Sequence, residues 1–302
     1  MTSQAKSQIL TELYFFICKK FKDSLQYLCT RFSNNNKPVF TDEEVLTIYF
    51  FAQFEEKRFT IKGIHEFIKS YYLSYFPKLV SYQAFNSRIN RLSEVLKKIA
   101  ADLLEEFRPS DCNDSITLLD SMPIITCSGK RKAKVATDIT DRGYCSTKNL
   151  WHYGLKLHIL GWLRPGKLPH PDMVILSKAS ENDLNIFREN CSNICGRDFF
   201  GDKIYNDQSF FNAFYKDNNS IMYTPVKLIK GDSIENRQFK KAADDLFSTA
   251  VSKIRQPIES TFNWLIAKTD IQRASKVRST NGLLVHVFGK LASAYLYLLF
   301  NS

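Results

Sequence analysis

The sequence predicts an all-helical domain over residues 1–110 followed by an α/β domain, a sheet covered by helices, over residues 111–302. Three observations carry this. Up to about residue 110, apolar positions recur at helical spacing behind capping signals. From about 111 the period changes to alternation and short apolar runs. Those runs then alternate with helical stretches, the pattern of a helix-covered sheet. A chain of 302 residues has room for two domains.

In the first domain, Thr41-Asp-Glu-Glu44 forms a capping box, and Val45, Ile48, Tyr49 and Ala52 follow on one helical face. A second helix is expected from Thr60, with Ile61, Ile64 and Ile68 inward. After Phe76-Pro77 a third begins at Ser81. Its apolar face is Tyr82, Phe85, Ile89 and Leu92, and its polar face is Gln83, Asn86, Ser87, Arg88, Asn90 and Arg91. Short helices in this order suggest a helix-turn-helix-like, DNA-binding bundle whose third helix offers Arg88, Arg91 and amides to a groove. The same face also suits an ordinary solvated helix. The absence of an acid before Glu94 favours the groove.

In the second domain, SITLLDS reads as a buried strand ending at Asp120, and LKLHILGWL alternates Leu155, Leu157 and Ile159 with Lys156 and His158. RPGK supplies a turn, MVILS a strand, and SENDLNIFREN a helix capped by Ser180. FFGD closes another strand at Asp202, DQSFFNAFYKD reads as a helix and IMYT as a further strand. A long helical segment from about 235 carries the apolar stripe Phe239, Ala243, Leu246, Ala250, Ile254, Ile258, Phe262 and Leu265. Pro257 within it implies a kink or a new helix start. NNNK at 34–37 reads as a loop.

Composition narrows the partners. With 42 Lys+Arg against 31 Asp+Glu the formal charge is +11, which favours nucleic acid over a neutral small metabolite. The 7 cysteines are scattered, and Cys191 and Cys195, the close pair, have no histidine nearby, so free thiols in a reducing compartment are expected rather than a zinc site. The opening MTSQAKSQIL lacks the zones of a secretion signal. The apolar run at 283–300 is interrupted by His286, Gly289 and Lys290, which fits a packed helix better than a membrane span. No membrane partner is expected.

Three acids stand out by position. Asp120 and Asp202 end strands, and Glu259 lies on the long C-terminal helix in RQPIESTFNWL. If the two strands are neighbours and the helix crosses the sheet edge, three carboxylates meet at one rim. Such a cluster repels itself unless divalent cations neutralise it, and Mg²⁺ takes a few carboxylates together with waters and phosphate oxygens. Two ions roughly 3.5 to 4 Å apart activate a nucleophile and stabilise a leaving oxygen in phosphodiester displacement.

LLDSMPI around Asp120, WHYGLKLHIL at 151–160, LSKASENDL at 176–184, GDKIYND at 201–207 and IRQPIESTFNWL at 254–265 resemble, in the same order, the motifs of the DDE transposases of bacterial insertion sequences. The resemblance covers most of residues 116–280. It implies a ribonuclease-H-like mixed sheet flanked by helices, with Asp120, Asp202 and Glu259 as the catalytic and metal-holding triad. It also implies Mg²⁺ or Mn²⁺ as two ions, endonuclease cleavage and strand transfer on double-stranded DNA (terminal inverted repeats and target), and a homodimer or larger synaptic complex. The place of action would be a bacterial cytoplasm, beside the nucleoid. Arg255 matches the arginine of the tyrosine-arginine-glutamate-lysine signature and would contact a phosphate. Two positions depart from that signature: Ser252 stands where it has tyrosine, and Ile266 where it has lysine, with Lys268 as the nearby substitute. In SENDL, Asn182 stands where the family often has histidine.

Plainer readings stand beside these. Asp120 alone also suits a turn before Met122-Pro123, and Arg255 with Glu259, four apart on a helix, also suits a surface ion pair worth a few tenths of a kcal/mol. His152 and His158 suit satisfied strand positions. Lys130, Arg131, Lys132 and Lys134 suit a solvated loop or, with Lys148 and Lys156, a DNA-phosphate track. Tyr205 and Trp264 suit packing or base stacking. Two other functions stand beside transposition: a catalytically inactive, transposase-derived DNA-binding protein, and a phosphotransferase with Asp120 as nucleophile, which would need an acid where this chain has Met122.

Overall fold

The structure, a computed structural model, describes residues 3–29, 38–130, 132–145, 148–227 and 234–300. Arg131 and the 34–37 loop reading lie outside the described residues. The chain divides into two compact units: residues 1–107 with 134–138 and 265–302, and residues 108–133 with 139–264.

The first unit opens with helices α1 (Ser3–Asp23), α2 (Asp42–Phe54), α3 (Ile61–Tyr71), α4 (Tyr82–Arg91) and α5 (Ser93–Glu106). Their starts follow the capping signals. Thr41 accepts from the Glu44 amide while the Glu44 carboxylate accepts from the Thr41 amide, and Thr60 and Ser81 each accept from the amide three residues on. Ile64, Ile68, Phe85 and Ile89 are buried as the helical spacing requires.

The second unit holds strands β1 (Ile116–Ser128), β2 (Asp141–Cys145), β3 (Leu150–Trp162) and β4 (His170–Lys178), helix α6 (Asp183–Cys191), strand β5 (Asp198–Phe200), helix α7 (Gln208–Asn218), strand β6 (Ile221–Tyr223) and helix α8 (Ile234–Thr269). The sheet order is β2-β3-β1-β5-β6, with β4 also on β3. β1, β3 and β4 pair antiparallel, whereas β1, β5 and β6 are parallel. This curled mixed sheet flanked by helices is the ribonuclease-H-like arrangement. One face is closed by a core of Leu119, Leu160, Phe187, Phe199, Phe214 and Met222, with Phe187 on α6 and Phe214 on α7.

Four expectations are corrected. β1 does not end at Asp120 but continues to Ser128, because its antiparallel partner β3 is equally long; Pro123 is accommodated beyond the short β1–β5 ladder. The cap of α6 is Asn182, whose side chain accepts from Leu184 and Asn185, while Ser180 is drawn off to the Asp141 carboxylate. Helix α8 runs through Pro257 without a break, and its stripe is buried only at Ile258, Phe262 and Leu265; Phe239 is 88% and Leu246 74% exposed. Finally, residues 265–302, expected with the α/β domain, belong to the helical unit.

That last segment comprises α9 (Thr280–Leu284), a π-helical turn at Val285–Gly289, and α10 (Lys290–Phe300). By length and composition, residues 280–300 pass for a bilayer span. Here α10 packs on α2 and α5, with Leu291, Ala292 and Leu296 buried. The polar interruptions are satisfied by carbonyls: His286 bonds the Ile271 oxygen at 2.7 Å and Lys290 donates to that of Asp270 at 3.0 Å.

Candidate active site

Strand register brings the first two acids together. In the parallel β1–β5 ladder Leu118 is level with Phe200, and the ladder then stops. Asp120 and Asp202 each lie two residues further along, so they are neighbours where β5 leaves the sheet. Gly201 makes this exit possible, since a Cβ there would lie 2.9 Å from the Tyr205 ring, and its amide bonds the Tyr223 carbonyl at 3.0 Å. Asp202 then caps a short 3-10 turn by accepting from the Lys203 amide at 2.7 Å.

Alternation along β1 decides which way Asp120 faces. Leu119 points into the α6–α7 core, so Leu118 and Asp120 face the other side, where α8 crosses; Ile258 of α8 reaches the β3 backbone at Gly161. One turn earlier on α8, Arg255 donates to Asp120 Oδ2 at 2.7 Å and to Glu259 Oε1 at 2.5 Å. Asp120 and Glu259 thus meet on one guanidinium, whose side chain is only 14% exposed, and the charge of Asp202 acts on the same group. Burial pushes the Asp120 carboxyl up to about 6 against the pull of Arg255 and the Ser121 amide, and the charges of Asp202 and Glu259 push it the same way. An open cleft of about 1220 Å³ beside the cluster is lined by Asp202, Lys203, Asp244, Ser252, Arg255 and Glu259.

A family model described as a transposase DDE domain matches residues 110–279. The chain belongs to the DDE transposase family. No curated protein and no solved structure matches it.

DDE transposases work with divalent metal ions, and the carboxylates here offer the oxygen donors that Mg²⁺ and Mn²⁺ prefer. The donor chemistry fits. As they stand, no three of the described acids, histidines and cysteines form a ready metal cluster, and Arg255 supplies the positive charge between Asp120 and Glu259.

Other residues singled out in the transposase sequence go elsewhere. Arg88 donates to Asp42 and to the Phe40 carbonyl, and Arg91 donates to both Asp42 oxygens at 3.0 and 3.1 Å. α4 thus ties both to the first turn of α2: Arg88 is largely covered there, whereas Arg91 keeps 40% of its side chain in solvent. Lys156, expected on a phosphate track, donates to Asp183 at 2.7 Å and to the Glu181 carbonyl, with 17% of its side chain exposed. Lys268 lies in the helical unit, its ammonium 3.8 Å from the Tyr297 ring centre. Lys130 and Lys132 are exposed. His158 bonds Ser177 Oγ at 2.8 Å, and burial holds its pKa down at about 4. Tyr205 is a core residue packed edge-on to Phe187.

Sequence reasoning missed Asp183. This buried acid opens α6 and accepts from Lys156 and from Ser121 Oγ at 2.7 Å, fixing the strand residue next to Asp120.

Proposed function

We propose that the chain cleaves the ends of a mobile DNA element and joins them to target DNA, with Asp120, Asp202 and Glu259 as the catalytic triad. The observation that supports this most is the charge count at the end of the parallel β1–β5 ladder: three acids against one arginine, beside an open cleft. An excess of negative charge kept next to polyanionic DNA calls for cations. The three carboxylates would hold Mg²⁺ or Mn²⁺, as two ions, and such ions supply Lewis acidity toward phosphate oxygens and a nucleophile at neutral pH. Arg255, freed from the carboxylates, has the planar donor set that suits a phosphate. Exposed Lys130 and Lys132 suit the DNA backbone, and end recognition falls to the helical unit. Pairing two ends needs a dimer or larger synaptic assembly, working on chromosomal DNA in a bacterial cytoplasm.

A second reading, a DNA-binding protein without catalysis, draws on one observation: Arg255 already answers two of the three acids. One experiment separates the two. The full chain is incubated with the DNA flanking its own gene, with Mn²⁺ or with excess chelator. Metal-dependent nicks at defined ends are the expected result; binding without nicks leaves the second reading, and full cleavage in chelator overturns the metal role.

A further inference from the structure

The β2–β3 hairpin carries an unusual outward face. Register sets Arg142 opposite Tyr153 and Tyr144 opposite Trp151, so these four side chains share one side, while Gly143 and His152 between them are buried on the other. An outward hairpin face is normally polar. Here Trp151 is 51% and Tyr144 47% exposed. The rings lie 5.2 Å apart and tilted, the Tyr144 hydroxyl donates to Asn149 at 2.6 Å, and the Arg142 guanidinium sits 4.6 Å over the indole. Next to Trp151, the Gly129 amide bonds its carbonyl at 2.7 Å, which brings the exposed Lys130 alongside; the exposed Lys148 stands near the start of β3. The nearby Asp141 carboxylate is taken up by Ser180.

We propose that this face is a stacking site for an unpaired nucleobase of a DNA strand, with Trp151 and Tyr144 taking the base and Lys130, Lys148 and Arg142 the adjoining phosphates. Cross-strand aromatic pairing alone explains the Tyr144–Trp151 contact. It does not explain why a ring backed by a guanidinium on one side stays half open within a group of cations. Rings flanked by positive charge bind single strands with little sequence preference, because every base offers a π-face. A base inside a duplex is already stacked and must leave the helix to reach such a site. The site would therefore favour frayed, flipped or single-stranded DNA over intact duplex. The inference rests on the proposed DNA substrate and assigns a new part of the surface to it.

The experiment uses the full chain and its tryptophan fluorescence. Of the 3 tryptophans, Trp162 is buried and Trp151 is the strongly exposed one. Titration with oligothymidylate, with a duplex, and with the same duplex carrying one unpaired thymine should show quenching by the first and third alone. Trp151→Ala should lose the quenching and weaken single-strand binding about tenfold or more, leaving the salt dependence unchanged. Trp151→Phe should retain most of the affinity, which separates stacking from damage to the hairpin. Lys130→Ala with Lys148→Ala should instead flatten the salt slope. Equal binding by Trp151→Ala and the parent, or equal quenching by the perfect duplex, overturns the stacking site. If the parent binds no DNA of any form, the proposed function falls as well; if it binds duplex ends but gains nothing from the unpaired base, this inference alone falls.

Discussion

Two charge clusters, one in each unit, use the same residue types in opposite proportion. In the helical unit one acid, Asp42, with 7% of its side chain exposed, receives two arginines, and a second Arg88 nitrogen donates to a carbonyl. In the α/β unit one arginine, Arg255, serves two acids while Asp202 adds a third negative charge to the same field. The first cluster is closed: its acid is answered and its donors tie α4 to the start of α2. The second is left with more acid than base, and burial already strains the Asp120 carboxylate. Ion pairs alone therefore do not mark a site; the sign and size of the unanswered charge do.

The largest test of this contrast is catalytic. Asp120→Asn, Asp202→Asn and Glu259→Gln should each lose nearly all DNA cleavage while keeping the fold, and pairs of substitutions should cost little more than one, because residues acting as a unit fail together. Cleavage gels alongside thermal midpoints check this; a fully active Glu259→Gln protein would remove Glu259 from the site.

Next comes the closed cluster. Asp42→Ala strands a largely buried Arg88 and a half-exposed Arg91, and should cost about 3 kcal/mol in stability, the lower end for breaking a buried pair, since Arg91 can turn to water. Urea midpoints measure it. A loss as large in Asp120→Asn would erase the distinction between the clusters.

The pH response of Asp120 is the third. Its folded pKa of about 6 lies above the ordinary carboxylate value of 3.8, so between these values the folded state binds more protons than the unfolded one. Its contribution to stability is present below pH 3.8 and is lost as pH rises through about 6. Asp120→Asn removes that slope. The variant should match the parent near pH 3.5 and exceed it by up to about 3 kcal/mol at pH 7. A constant difference across this range would show that Asp120 is not strained by burial.

The smallest effect is on the exposed side of the open cluster. Glu259, with half its side chain in solvent, should change stability by only a few tenths of a kcal/mol on conversion to Gln, read as a shift in urea midpoint.

What the sequence determined by itself was local or ordinal. Thr41, Thr60 and Ser81 cap helices because the bonds involved span three residues, within reach of any reading of neighbours. The ordered motifs pointed to the transposase family and to a helix-flanked sheet without any distance being known. Tertiary structure decided whatever depends on partners far along the chain. Arg88 finds its acid 46 residues away and Lys156 finds one 27 away, so neither faces outward as its own helix or strand suggested. Asp183 became visible only through those long-range bonds. The C-terminal helices joined the N-terminal ones because an apolar run does not name the surface that will bury it. Above all, the meeting of Asp120, Asp202 and Glu259 depends on strand register and on where α8 crosses the sheet. Spacing along a chain carries no record of either, since both are set by which buried faces pack together.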